Sequence, residues 1–262
     1  TDLTEAAISD SSINIVGSTG SAGTFVRAHQ STSVTNSGGA EGLTGLGVVG
    51  GFDTTLVRNT THASINNPTA IKTVQAGTGG VEVSAWTQEM VSSKTASASL
   101  SFIGGAAGAV SAVDIQGETT ATISAADVTS GGSVRVLATD IVQVITRAGA
   151  LSVGGIAGAG GSIDFVTIAR DTKARMIGVH SNALGSTEVT AYSQALIDGS
   201  AGTAGGGGIA AVVGSAVVHL IEGSTEAAIT SGSRPSLINQ DADHPGTDRS
   251  EEHTSELQSL AY

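Results

Sequence analysis

The sequence predicts an all-β protein, a right-handed parallel β-helix (β-solenoid) built from units of about 53 residues. Three observations carry this reading: two interleaved motifs that repeat in phase, an alternation of period two inside each motif, and a composition rich in small residues. The chain has 262 residues, 37 of them Gly, with no Cys, three Pro and a single Trp. Apolar residues make up 39% and charged residues 13%, so burial is available, but Ala and Val supply most of it. Thin stacked coils suit such a composition better than a core of large side chains.

The first motif is Thr, any residue, Ala, any residue, then Ile or Met. It reads Thr4-Ala6-Ile8, Thr61-Ala63-Ile65, Thr119-Ala121-Ile123, Thr172-Ala174-Met176 and Thr225-Ala227-Ile229, with central alanines 57, 58, 53 and 53 residues apart. The second is a β-branched residue, any residue, Val, any residue, Ala. It reads Thr24-Val26-Ala28, Val81-Val83-Ala85, Val134-Val136-Ala138 and Thr187-Val189-Ala191, at alanine spacings of 57, 53 and 53. The motifs keep phase, since Ala6 to Ala28 and Ala63 to Ala85 are both 22 residues while Ala121 to Ala138 and Ala174 to Ala191 are both 17. Gly-rich apolar runs at Gly45–Gly51, Gly104–Gly108, Gly154–Gly161 and Gly205–Gly208 form a third element. Repetition at a fixed period is the mark of a stacked array.

Period two with β-branched residues is strand periodicity. It turns Thr, Ala and Ile of the first motif inward and Glu5, His62, Thr120, Lys173 and Glu226 outward. Turn clusters such as Thr129-Ser130-Gly131-Gly132 and Gly185-Ser186 separate the strands. The 17-residue offset suggests three coils of about 17–18 residues per unit, hence about 14 coils and a rod of order 65 Å at the usual strand spacing. Small inward residues then allow opposing walls to approach closely. Thr95–Val113 and Gly199–Ile221 are long and free of Asp, Glu, Lys and Arg. They are rich in Gly, Ala and Ser and recur once per unit, so they read as solenoid segments and no membrane span is expected.

Units such as AGAVSAVDIQGETTATISAADVTSGGSVRVLATDIVQVITRAGALSVGG resemble the passenger repeats of large filamentous adhesins of Gram-negative bacteria, in particular the leukotoxin-like filamentous adhesin group. The resemblance covers residues 1–232. It implies a secreted, surface-displayed segment, exported by an autotransporter-type or two-partner route, that serves as a stalk or a weak multivalent binding surface. The implied partners are a glycan or protein on a host or neighbouring cell and the flanking repeats of the same chain. Composition changes after Ser233, where Pro235 and Pro245 fall, so residues 233–248 are expected to form an irregular tail. Arg249–Ser259, RSEEHTSELQS, resembles the in-frame translation of a common sequencing adapter. Residues 249–262 are accordingly expected to be an artefact, the other reading being an acidic helix capped by Ser250.

Composition and spacing exclude several chemistries. Without Cys there is no thiolate zinc site and no cysteine nucleophile. A net charge of −12 and one Trp disfavour nucleic-acid binding, which needs a basic footprint and stacking platforms. No Lys-Ser or Lys-Thr follows the Gly-rich runs, so no phosphate loop can be built and no cofactor is expected. The six histidines (His29, His62, His180, His219, His244, His253) lack ligand spacing, and no metal site is assigned. Thr4, Thr61, Thr119, Thr172 and Thr225 point inward, so they do not make an outward threonine array of the ice-binding kind.

The competing function is a carbohydrate-active β-helix enzyme, a polysaccharide lyase or hydrolase, which requires carboxylates and a basic residue converging on a surface groove. Asp114 stands closer to Ala121 than Asp164 does to Ala174, so the two acids fall out of register with each other. Arg135 is expected outward in its strand. Arg147, Arg170 and Arg175 have no counterparts in neighbouring units, so these charges are expected to decorate a solvated face. No catalytic residue is assigned, and a non-enzymatic, extracellular role is expected.

Overall fold

The computed structural model describes residues 2–15 and 22–239. Alternation of buried and exposed residues runs almost unbroken along most strands, and it sets which side chains face in. The strands are β1 (Asp2–Ser9), β2 (Ile13–Asn14), β3 (Gly23–Asn66), β4 (Lys72–Ala76), β5 (Gly80–Ser124) and β6 (Ala126–Ser130), followed by β7 (Val134–Gly154), β8 (Ala157–Ile177), β9 (His180–Ala183), β10 (Thr187–Gly207), β11 (Ala210–Thr230) and β12 (Leu237–Ile238). All are joined in parallel pairs.

The pairing makes three walls. The first stacks residues 23–44 of β3, residues 80–101 of β5, β7 and β10. The second stacks β1, residues 46–66 of β3, residues 104–124 of β5, β8 and β11. The third is the short sheet β2-β4-β6-β9-β12. Cross-wall hydrogen bonds such as Thr61 to Gln30, Asn59 to Thr32 and Asn36 to Thr55 pin the first wall against the second. The two long walls therefore face each other from a base, where residues of the third wall share their core cluster, to a glycine-rich tip.

This arrangement corrects the coil arithmetic. Each unit forms one rung, with Ala6, Ala63, Ala121, Ala174 and Ala227 stacked as direct register partners. Ala28, Ala85, Ala138 and Ala191 stack in the same way. Three coils per unit and the long thin rod they imply are thus overturned. Five second-wall strands span about 20 Å along the stack, whereas a 21-residue wall strand extends roughly 65 Å. The shorter offset within a unit measures the passage around the base and not a coil. The single extra residue in the second spacing of the first motif is a register shift at the tip, between Thr44 and Leu46.

The motif residues point as expected. Thr61, Thr119, Thr172, Ala121 and Ala174 are all fully buried. The core divides into blocks along the walls. A base cluster joins Val26, Ala63, Ile65, Val74, Val83, Ile123 and Met176 with their neighbours from all three walls. A mid-wall cluster holds Val57, Val91, Ile115, Val144 and Ile168, and near the tip a small third cluster holds Ala107, Ala109 and Ala150. Close approach there needs glycine at some inward positions: a Cβ on Gly158 would lie 2.4 Å from the carbonyl oxygen of Gly206.

The corner from the second wall to the third uses a left-handed residue in three rungs, Asp10 (φ 47°), Ala125 (φ 50°) and Gly178 (φ 59°). Asp and Gly tolerate this region, while Ala carries the Cβ clash. Ala125→Gly is expected to stabilise the protein by about 0.5–1 kcal/mol, seen as a raised midpoint in thermal or urea unfolding. A lowered midpoint would mean that the Ala125 methyl contributes packing that outweighs the strain. Beyond Ser233, β12 pairs with β9, and Arg234 donates to the carbonyl oxygens of Gly178 and Ala126. Residues 240–262, including the segment read as adapter-derived, lie outside the described residues.

Candidate functional site

Between the base and mid-wall clusters the interior turns polar, and here the structure gathers charges that the sequence reading dispersed. Arg170 continues the inward alternation of β8 through Val166, Ile168 and Thr172. Its register partners are Gly117 below and Gly223 above. A Cβ on Gly117 would sit 2.6 Å from the Arg170 Nη1 and 1.9 Å from the Asn59 carbonyl oxygen, so this glycine makes the space that the guanidinium occupies. The expectation that Arg170 decorates a solvated face is therefore wrong: its side chain is 3% exposed.

Two carboxylates converge on it. Arg170 Nε donates to Asp140 Oδ2 at 2.7 Å, and Nη1 donates to Glu89 Oε1 at 2.6 Å. Asn59 Nδ2 donates to Glu89 Oε1 and to Thr32 Oγ1, each at 2.9 Å. Arg170 Nη2 donates to Thr119 Oγ1 at 3.3 Å, Thr87 Oγ1 bonds Thr119 and donates to Thr61, Thr61 donates to Gln30, and Gln30 donates to Asp2. With the guanidinium filling one end, the proton order of this chain is set: each hydroxyl donates away from Arg170 toward the Asp2 carboxylate. The network crosses every rung from β8 to β1.

Two acids share one guanidinium, so the fully ionised cluster carries a net negative charge in a buried position. Burial, the largest influence, pushes both Glu89 and Asp140 above the ordinary carboxylate range, against the opposing pull of Arg170. Glu89 Oε2 and Asp140 Oδ1 accept no hydrogen bond. The cluster has the residue types of a glycosidic or lyase site. At side-chain exposures of 3%, 0% and 1%, however, no polymer can reach it. Its bonds join strands of neighbouring rungs to one another.

A second polar block lies between the mid-wall and tip clusters. Asp164 is fully buried on β8, Thr146 Oγ1 donates to its Oδ2, and His219 Nε2 lies 3.5 Å from the same oxygen. The hydroxyl and the imidazole both address the carboxylate, and no bond joins them. The order therefore differs from a nucleophile–base–acid relay. Asp114 pairs in register with Thr167, and Asp164 with Ser111, so the two acids stay out of register as expected.

The remaining residues singled out from the sequence are dispersed. Arg135 is outward and pairs with Glu188. Arg147 reaches Asp198 and Arg175 reaches Glu226. His29 meets the edge of Trp86 at 4.0 Å between ring centroids, and His62 is outward between Glu5 and Thr120. His180 lies beside Asp127 and Arg234, while His244 and His253 fall outside the described residues. Among the described residues no group of three His, Asp or Glu could hold a metal ion. No helix among them is long and apolar enough to cross a membrane. A surface depression on the first wall is lined by Ala96, Ala98, Gly149, Leu151, Gly202 and one titratable residue, Glu41.

The buried triad was detectable in principle. Extending the alternation of the second motif past Ala85 and Ala138 places Glu89 and Asp140 inward, and extending the first motif backward from Thr172 does the same for Arg170. What alternation cannot reveal is that the three positions meet, since that requires the one-unit-per-rung stacking. Comparisons of the chain with protein-family models, with curated proteins and with solved structures find no match.

Proposed function

We propose that this chain is a structural and adhesive passenger segment of a surface-displayed bacterial filamentous adhesin, folded as a right-handed, closed β-solenoid. The observation that carries the reading is the column-for-column stacking of whole units, Ala on Ala and Thr on Thr, through five second-wall strands. A fold that repeats its interior and varies its outward residues supplies length and a repeated surface. Weak sites repeated along such a stack gain avidity without strong single contacts. The partner classes are a cell-surface glycan or protein and flanking repeats of the same chain, which the edges of β10 and β11, each paired on one side among the described residues, would accept. Its acidic surface disfavours anionic polymers.

The interior position of the Glu89–Asp140–Arg170 cluster and the single carboxylate in the first-wall depression support the non-enzymatic reading over a carbohydrate-active one. Beads coated densely with the chain are expected to adhere to cells or immobilised glycans, and sparsely coated beads to adhere far less. Incubation with neutral and acidic polysaccharides is expected to release neither reducing ends nor unsaturated products. Release of either would place the chain among the carbohydrate-active β-helix enzymes.

A further inference from the structure

The tip half of the second wall presents an outward apolar face that none of the described residues covers. Five outward columns of four residues run from Val48–Leu56 on β3 through their register partners on β5, β8 and β11. Nineteen of these twenty positions are uncharged, Asp114 at the rim being the exception, in a chain of net charge −12. Val48, Phe52 and Val212 are 89%, 69% and 71% exposed. At the usual strand and residue spacings the face measures roughly 30 by 19 Å. That is the upper end of the largest apolar patches on typical monomers, which are often binding surfaces.

Its relief is specific. One column is glycine in every rung: Gly50, Gly108, Gly161 and Gly214. A Cβ at Gly50 or Gly214 would meet nothing within 4 Å, and at Gly108 or Gly161 only a carbonyl oxygen at 3.9 Å. Unlike Gly117 and Gly158, these glycines are not needed by the chain's own packing. The adjacent column, Phe52, Val110, Ile163 and Ala216, stands as a ridge beside the groove.

We propose that this face binds a second copy of the chain, the two second walls packing face to face about a two-fold axis along the stack, between groove and ridge. That rotation sets each rung against the same rung of its partner and each groove against the opposite ridge, so that Gly161 receives the partner's Ile163. In the next columns Ala159 lies opposite the partner's Phe165, small against large again. The Leu56–Leu220 column then faces the partner's Leu46–Ala210 column; with it the contact covers about 1,100 Å² over two chains, above the roughly 1,000 Å² a specific interface needs, and it is isologous as two-fold contacts must be. The flanking column holds Arg58 and Glu222, not the cation cluster that would address anionic lipid. The proposal does not depend on the adhesive reading.

Sedimentation velocity over a concentration series is expected to find twice the 25.6 kDa chain mass. Ile163→Glu buries a carboxylate twice per dimer and should weaken association by about a hundredfold or more. Gly161→Leu, whose Cβ would come no closer than 3.9 Å to its own chain, should also weaken it by filling the groove. Met90→Glu, outward on the first wall, should leave the dimer unchanged, and all three variants should keep the strand-type circular dichroism of the parent. A chain monomeric up to about 100 μM, or a dimer indifferent to Ile163→Glu, would overturn the proposal. So would flotation of the monomer with phosphatidylcholine–phosphatidylglycerol vesicles that Ile163→Glu abolishes, since the face would then belong to lipid.

Discussion

Arg170→Met is expected to destabilise the protein by about 3–5 kcal/mol at neutral pH, because it leaves Glu89 and Asp140 buried without their counter-charge. The deficit should depend on pH. Both carboxyls are held above the ordinary range by burial, so the folded state binds protons more tightly than the unfolded chain. Their contribution to stability is fully present below the unfolded carboxylate range and is lost as pH rises through the raised folded values. Removing Arg170 raises those values further, so the variant should recover relative to the parent between pH 8 and pH 5. The exposed carboxylates work in the opposite direction. Hydrogen bonds from Arg27, Lys173, Arg147 and Arg175 hold Glu82, Asp171, Asp198 and Glu226 below the ordinary range, and what they contribute is lost as pH falls through it.

Urea unfolding at pH 5, 7 and 8 measures both effects. A deficit that is equal at all three pH values would mean that Arg170 acts through packing alone. The triple variant Glu89→Gln, Asp140→Asn, Arg170→Met distinguishes charge from shape. With no charge left to compensate, it should regain most of the loss, since buried ion clusters often contribute little net stability over neutral replacements. If the triple variant is as unstable as Arg170→Met, the cost lies in the cavity and the broken hydrogen-bond chain.

The second large effect tests the register. Ile123→Asp places an unpaired carboxylate in the base cluster between Ile65 and Met176, its direct partners in the neighbouring rungs. A loss of about 4 kcal/mol or more is expected, enough to unfold the stack locally or as a whole. One residue earlier, Thr122 faces outward with Arg175 as its register partner. Thr122→Asp should therefore change stability by no more than about 0.5 kcal/mol. Thermal and urea unfolding of the pair give the readout. Comparable losses at 122 and 123 would contradict the assigned faces.

Alternation and repeat phase carried much of this architecture in the open. They placed Thr119, Ala121 and Ile123 inward, matched Ala121 to Ala174, and turned Arg135 and His62 outward, all from properties local to a strand. They also suggested why glycine is abundant, and at Gly158 that reason holds, because the facing wall would collide with a side chain. The same reasoning failed at the outward glycines of the second wall, which no intrachain contact requires. It failed again at Arg170, whose lack of a counterpart in other units was read as surface variability. In the structure that lack is a condition of its burial, since Gly117 and Gly223 in its column leave the guanidinium its space.

Sequence alone was enough for the all-β class, the unit length and the inward faces, because side-chain direction in a strand depends only on parity. It could not decide how a unit is laid out, and the misread coil shows why. A short offset within a unit and a long offset between units are both compatible with parallel strands. Only the backbone pairing of whole units chooses between them. That choice turns a long rod of short coils into a short stack of long rungs that run through three walls. It brings Glu89, Asp140 and Arg170 together from positions up to 81 residues apart, and it lines up four outward glycines beside a ridge. Contacts between rungs are long-range, and their partners are fixed by stacking energy summed over a whole unit, which no single motif contains.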